Sequence, residues 1–165
     1  MKKPTRLVIA IVIAEFAGVI GSVFTSPSIP SWFASLAKPS FSPPNWIFAP
    51  VWTALFALMG ISFYLIWDLL SKSTDASKKR NIRKAISIYF VQLALNVIWS
   101  IIFFGLHDPG AAFIEIVMLW FAIIVTIAIF YKISKTASYL LLPYLAWVSF
   151  AAYLNYAIWQ LNRMP

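Results

Sequence analysis

The side chains able to hold a ligand are few, and they recur at helical spacing. Gln92, Asn96, Trp99 and Phe103 stand at i, i+4, i+7 and i+11, so one face of a helix would carry two amides and two rings. Further along, Tyr144, Trp147, Ala151 and Asn155 give a matching stripe. Trp52 lies about six residues into another apolar run, roughly 9 Å along a helix, which is too deep for an interfacial anchor. Rings with a few convergent polar groups are the usual form of a small-molecule site. A packed aromatic core has the same composition, and an interhelical hydrogen bond would equally satisfy Asn96, so both readings stand at this level.

Conventional catalysis has little to work with. Cysteine is absent and His107 is the only histidine. Thiolate chemistry, multi-histidine metal centres and bis-histidine haem are therefore excluded within one chain, and a Ser/His/Asp triad would depend on a histidine in a short loop. No metal site, required cofactor or ordinary catalytic set is expected. Glu15 sits near the midpoint of the first apolar run, where an unpaired acid costs roughly 2.5 to 3.5 kcal/mol. It is expected to be neutral, paired or hydrated, a structural hydrogen bond being favoured over proton coupling. Glu115, one turn into the fourth run, is expected to reach the headgroups, and Asp68 to be solvated at the interface.

The elements that must position these residues follow from composition. The 165 residues are 62% hydrophobic and 11% charged, far from the balance of soluble domains. Five apolar runs, about 7–25, 47–68, 86–105, 112–131 and 138–160, reach the roughly 20 residues that span a bilayer as helix, and they are too long and continuous for barrel strands. The expectation is an all-α polytopic membrane protein, a five-transmembrane-helix bundle forming one domain over 1–165. The first run is read as a helix and not a signal peptide, since it passes Gly18 and Gly21 without an A-x-A site. Ala14 with Gly18, and Ala17 with Gly21, would let a neighbouring backbone approach.

The net charge of +8 is distributed by topology. Eleven of the thirteen basic residues fall at the N-terminus and in the second and fourth connections, leaving Lys38 and Arg163 on the other face. That bias predicts the N-terminus inside and the first loop and C-terminus outside, and it argues against nucleic acid as a partner. The cell membrane is the expected location.

The first loop, 26–46, is long, aromatic and rich in proline. Six of the ten prolines lie from Pro27 to Pro50, among Trp32, Phe33, Phe41, Trp46 and Phe48. Such a segment is stiff and should fold back over the bundle, with a short helix after Ser31 ending before Pro39. Pro50 falls in the first turn of the next helix. Pro143 is expected to kink the fifth helix. Trp46, Trp67 and Trp159 read as interfacial anchors.

Three segments in order, W-F-A-S-L-A-K-P-S-F-S-P-P-N-W-I-F-A-P-V-W (Trp32 to Trp52), Q-L-A-L-N-V-I-W-S-I-I-F-F (Gln92 to Phe104) and P-Y-L-A-W-V-S-F-A-A-Y-L-N (Pro143 to Asn155), resemble the tryptophan-rich sensory protein and translocator protein family, TspO/MBR. The resemblance implies a five-helix bundle, usually a homodimer, whose cavity beneath the first loop binds porphyrins and, in animal members, benzodiazepine-type ligands and cholesterol. It implies that Trp52, Asn96 and Trp147 lie in the cavity, that Trp32, Phe33, Pro43 and Pro44 belong to a lid, and that Tyr144, Ser149 and Phe150 contribute from helix five. Together with Trp99 these form the expected ligand site. Phe33 departs from the family's common Trp-Tyr lid and lacks its hydroxyl. The sterol pattern fails between Tyr156 and Arg163, so cholesterol binding is not expected.

The implied function is a membrane tetrapyrrole-binding protein, a sensor, carrier or regulator that takes porphyrin or haem as ligand and the bilayer and a second copy as partners. Two alternatives stand: light- and oxygen-dependent porphyrin degradation involving Trp52 and Trp147, and a small proton-coupled transporter resting on Glu15.

Overall fold

The computed structural model describes residues 3–163; Lys2, counted in the charge bias, lies outside the described residues, as do the extreme ends of the 1–165 domain. The described chain is helical without strands, and five helical segments are long and apolar enough to cross a membrane. They are α1 (Lys3–Ser28), α3 (Phe48–Lys72) with a 3-10 turn (Asn45–Ile47) before it, α4 (Ala76–Ser100) continued by a π-helical turn (Ile101–Gly105), α5 (Pro109–Ile133), and α6 (Lys135–Tyr139) followed by α7 (Leu142–Leu161). The short α2 (Trp32–Ser35) sits in the first loop and stops ahead of Pro39, as the proline predicts. Outward faces are apolar: Val8, Val12, Phe16 and Val23 on α1, and Ile114, Met118, Phe121 and Val125 on α5, are exposed. Only lipid accommodates such faces. This is an integral membrane five-helix bundle.

Helix ends differ from the apolar runs, because apolarity marks the bilayer and capping marks the helix. The basic stretch Lys78 to Lys84 is not loop; it forms the first turns of α4, where the Asp75 carboxylate accepts the Lys78 N–H at 3.0 Å. Helix α1 continues past its expected end at 25, since the Thr25 hydroxyl bonds the Gly21 carbonyl and the Ser28 hydroxyl donates to the Phe104 carbonyl at 2.7 Å. The expected kink at Pro143 is a full break: α6 ends, Leu140 and Leu141 turn, and Pro143 occupies the first turn of α7, where its missing N–H is harmless.

Three contacts lock the lower bundle. Adding a Cβ to Gly60 would bring it within 2.5 Å of the Ile11 Cα, so α1 and α3 pack there backbone to backbone. Ser62 donates to the Ala137 carbonyl at 2.7 Å and Tyr89 to the Met59 carbonyl at 3.2 Å. The small residues Ala10, Ala14, Ala17 and Gly21 are all buried within this chain, so they do not supply a face for a second copy. At the basic end Asp68 binds Lys72 and, at 3.6 Å, Arg6, which makes it an ion-pair partner and more than a solvated terminus.

Candidate functional site

On the first-loop side of the Gly60 contact, α1, α3, α4 and α7 line a cavity of about 360 Å³. Chain direction orders its walls. Glu15, Phe56, Asn96 and Trp147 are the lining residues farthest from the first loop on α1, α3, α4 and α7, and they form the floor. Exposed Val19, Ser22 and Ser26 on α1 and Ala49 and Thr53 on α3 also line it, so the cavity opens sideways between these two helices.

The aromatic walls arise from the stripes read in the sequence. Trp52 stacks on Phe56, centroids 5.6 Å apart, and meets Tyr144 edge to face at 6.3 Å. Trp99 stacks on Phe103 at 5.1 Å, and its indole N–H donates to Asn155 Oδ1 at 3.0 Å. Asn155 in turn donates to the Pro109 carbonyl at 2.7 Å, tying α4, α7 and the start of α5 together. Asn96 Nδ2 donates to the Tyr144 hydroxyl at 3.1 Å, so the interhelical bond and the cavity position coexist in one residue. Trp147 lines the cavity, yet its buried indole N–H has no partner. Because the π turn accepts an extra residue before closing, with the Leu106 N–H on the Ile101 carbonyl at 2.8 Å, Phe103 and Phe104 both face inward.

The first loop closes the top by several separate contacts. Phe33 is 3% exposed and packs on Phe103 and Phe104, while Lys38 lies over its outer face at 4.7 Å. Trp32 stacks on His107 at 4.4 Å. Phe41 stacks on Tyr153 at 5.0 Å, and Asn162 grips the Ala37 peptide from both sides, accepting its N–H at 3.1 Å and donating to its carbonyl at 3.0 Å.

Of the expected site residues, Phe33, Trp52, Asn96, Trp99 and Trp147 line the cavity. Tyr144 stands directly behind Asn96, Phe150 behind Trp147 at 5.6 Å, and Trp32 on the outer side of Phe103; none of the three reaches the cavity surface. Pro43 and Pro44 shape the loop before the 3-10 turn without lining the cavity. Ser149 is a correction: it faces outward, accepts the Trp120 indole N–H at 2.8 Å and donates to the Leu145 carbonyl, one position round the helix from Val148 in the core. Among the anchors, Trp46 is 72% exposed, whereas Trp67 packs on Phe63 and Trp159 lies between Phe113 and Arg163.

Both intramembrane acids are placed differently from expectation. Glu15 makes no hydrogen bond among the described residues and lines the cavity floor, heading a stripe with Gly18, Ser22 and Thr25 at i+3, i+7 and i+10. That spacing was present in the sequence. Glu115 does not reach the headgroups; it is 3% exposed, turned into the bundle, with both oxygens unpartnered. Gln92, 1% exposed, is likewise unpartnered.

Comparison with known proteins agrees with this architecture. Residues 9–160 match the model of the TspO/MBR family. The chain is 44% identical over 157 residues to the tryptophan-rich protein TspO of Archaeoglobus fulgidus, covering 95% of this chain and 97% of that protein. It is 43% identical over 163 residues to the protein of that name in Chlorobaculum tepidum, covering 98% of each. With the human translocator protein identity is 38% over 144 residues, or 87% of this chain and 82% of the relative.

Proposed function

The chain belongs to the TspO/MBR family, and from that premise we propose that it is a membrane tetrapyrrole-binding protein acting as sensor, carrier or regulator. The observation that carries the reading is the aromatic cavity whose walls carry three indoles, those of Trp52, Trp99 and Trp147. A porphyrin stacks on Trp52 and Trp147, and Asn96 supplies a polar contact at its edge. The only histidine is engaged on the outer side of the lid against Trp32, so no histidine lines the cavity. Metal-free porphyrin therefore binds at least as well as haem. Ligand exchanges by two routes, sideways from the bilayer between α1 and α3 and under the first loop.

Titration of protoporphyrin against Trp52→Phe and Trp147→Phe in detergent tests this. Each substitution weakens binding; unchanged affinity in both removes the site. A second reading, light- and oxygen-dependent breakdown of the bound porphyrin, rests on the indoles lining the cavity. Illumination with oxygen then yields a defined product in the wild type, and bleaching no faster than that of free porphyrin rejects it.

The orientation with lid outside, the cell-membrane location and pairing with a second copy belong to the same proposal. The charge bias supports the first, and cross-linking in native membranes tests the last.

A further inference from the structure

Glu15 is the one charged side chain among the described residues that line the cavity. It lies one helical turn before Gly18, whose added Cβ would meet the Phe56 ring at 2.6 Å, so the carboxyl and that ring share one corner of the floor. Trp52 stacks on the same ring. The acid is half-buried and forms no ion pair or hydrogen bond among the described residues. A carboxylate beside π faces, in a pocket without a cation of its own, is the arrangement that receives an ammonium. The acid gives a charge-assisted hydrogen bond, and the rings attract the positive charge through their quadrupoles.

We propose that the cavity floor is a recognition site for a protonated amine carried on a flat aromatic frame, with Glu15 as the counter-charge and Trp52 and Phe56 as its aromatic wall. This ligand class is distinct from the tetrapyrrole of the preceding proposal. The two share the cavity, and Glu15 repels the carboxylates of an anionic macrocycle, turning them toward the lid.

The test uses three fluorescent probes on one frame, 1-pyrenemethylammonium, 1-pyrenemethanol and 1-pyrenecarboxylate. Each is titrated in a neutral maltoside detergent and followed by energy transfer from the protein's tryptophans. In the wild type the amine binds roughly tenfold or more tightly than the alcohol, the increment of a hydrogen bond to a charged group, and the carboxylate binds most weakly. In Glu15→Gln, checked for folding by its unfolding midpoint, the advantage of the amine falls below about threefold. Equal affinities for amine and alcohol in the wild type overturn the proposal without recourse to any variant. So does an amine preference that survives in Glu15→Gln. Protoporphyrin titrated on the same samples reports on the tetrapyrrole reading separately, because its binding does not require the amine preference.

Discussion

The Trp32 indole lies flat on the His107 imidazole, centroids 4.4 Å apart and planes 16° apart. The pair joins the first loop to the connection between α4 and α5, where His107 has the positive φ of 58° that ends the π turn. Its Nε2 lies 3.4 Å from the Ser28 hydroxyl, so the stack also sits on the end of α1. Three chain segments therefore meet at a contact outside the cavity, and opening the lid must break it.

Removing the imidazole loosens the lid without altering what it covers. His107→Ala loses a stack worth about 0.5 to 1.5 kcal/mol, and stopped-flow measurement with protoporphyrin is expected to show dissociation faster by roughly two- to tenfold. Association quickens as well, because passage under the lid is one of the two routes. An unchanged dissociation rate shows that the stack does not hold the lid closed.

Glycine substitutions separate packing from the site. At Gly60 the obstacle is the Ile11 backbone at 2.5 Å, which cannot rotate away, so Gly60→Ala forces α1 from α3 and lowers the unfolding midpoint, with about 1 to 3 kcal/mol lost. At Gly18 the obstacle is the Phe56 ring, a side chain that can swing. Gly18→Ala therefore costs less stability and instead pushes Phe56 into the cavity, weakening ligand binding. Thermal shift and porphyrin titration on both variants should rank them oppositely; the same order in both assays contradicts the assignment.

How far the sequence carried the fold and the site is visible in particular residues. Bilayer thickness sets the length of an apolar run, so all five crossings were legible; helix ends obey capping, and Asp75 began α4 ten residues before its run. The stripes on α4 and α7 were legible because period 3.6 projects directly onto a wall. The Glu15, Gly18, Ser22 and Thr25 stripe has the same period, but small residues in a membrane helix read first as packing, and Gly21 beside it is packing. Ser149 shares a short segment with Trp147, yet two positions round a helix turn a side chain through about 200°. The grips of His107 and Asn162 on the loop join residues 75 and 125 positions apart, which no local pattern encodes.

The cap of α4 predicts a pH dependence. The N–H groups of Lys78 and Ser77, followed by the charge of Lys78, hold the Asp75 carboxyl below the usual carboxylate range. A depressed folded value means that the stabilisation is present above the unfolded pKa and is lost as pH falls through the folded one. Hydrogen-exchange protection in the first turn of α4, taken relative to the intrinsic exchange rate at each pH, should therefore fall on acidification below about pH 4. Asp75→Asn keeps a capping side chain without a titrating group, and its protection in that turn should show a flatter pH response. Parallel pH profiles in the two proteins exclude the cap as the source.

Glu115 gives the sharpest stability test. Its carboxyl is buried with neither oxygen paired, among Ala112, Ile116 and Leu119 on the inward face of α5. Leaving a polar group unsatisfied in such surroundings costs about 1 to 3 kcal/mol, whereas an apolar side chain of similar volume fills the space without that penalty. Glu115→Leu is thus expected to raise the unfolding midpoint in detergent, and Glu115→Gln, which keeps an unsatisfied amide, to change it little. The residue does not line the cavity, so pyrenemethanol affinity should stay within about twofold in both variants. A fall in stability for Glu115→Leu would mean that the carboxyl has a partner, such as a buried water, and that the group is an anchor of the bundle. A rise in stability with weakened binding would instead make Glu115 a support of the cavity wall.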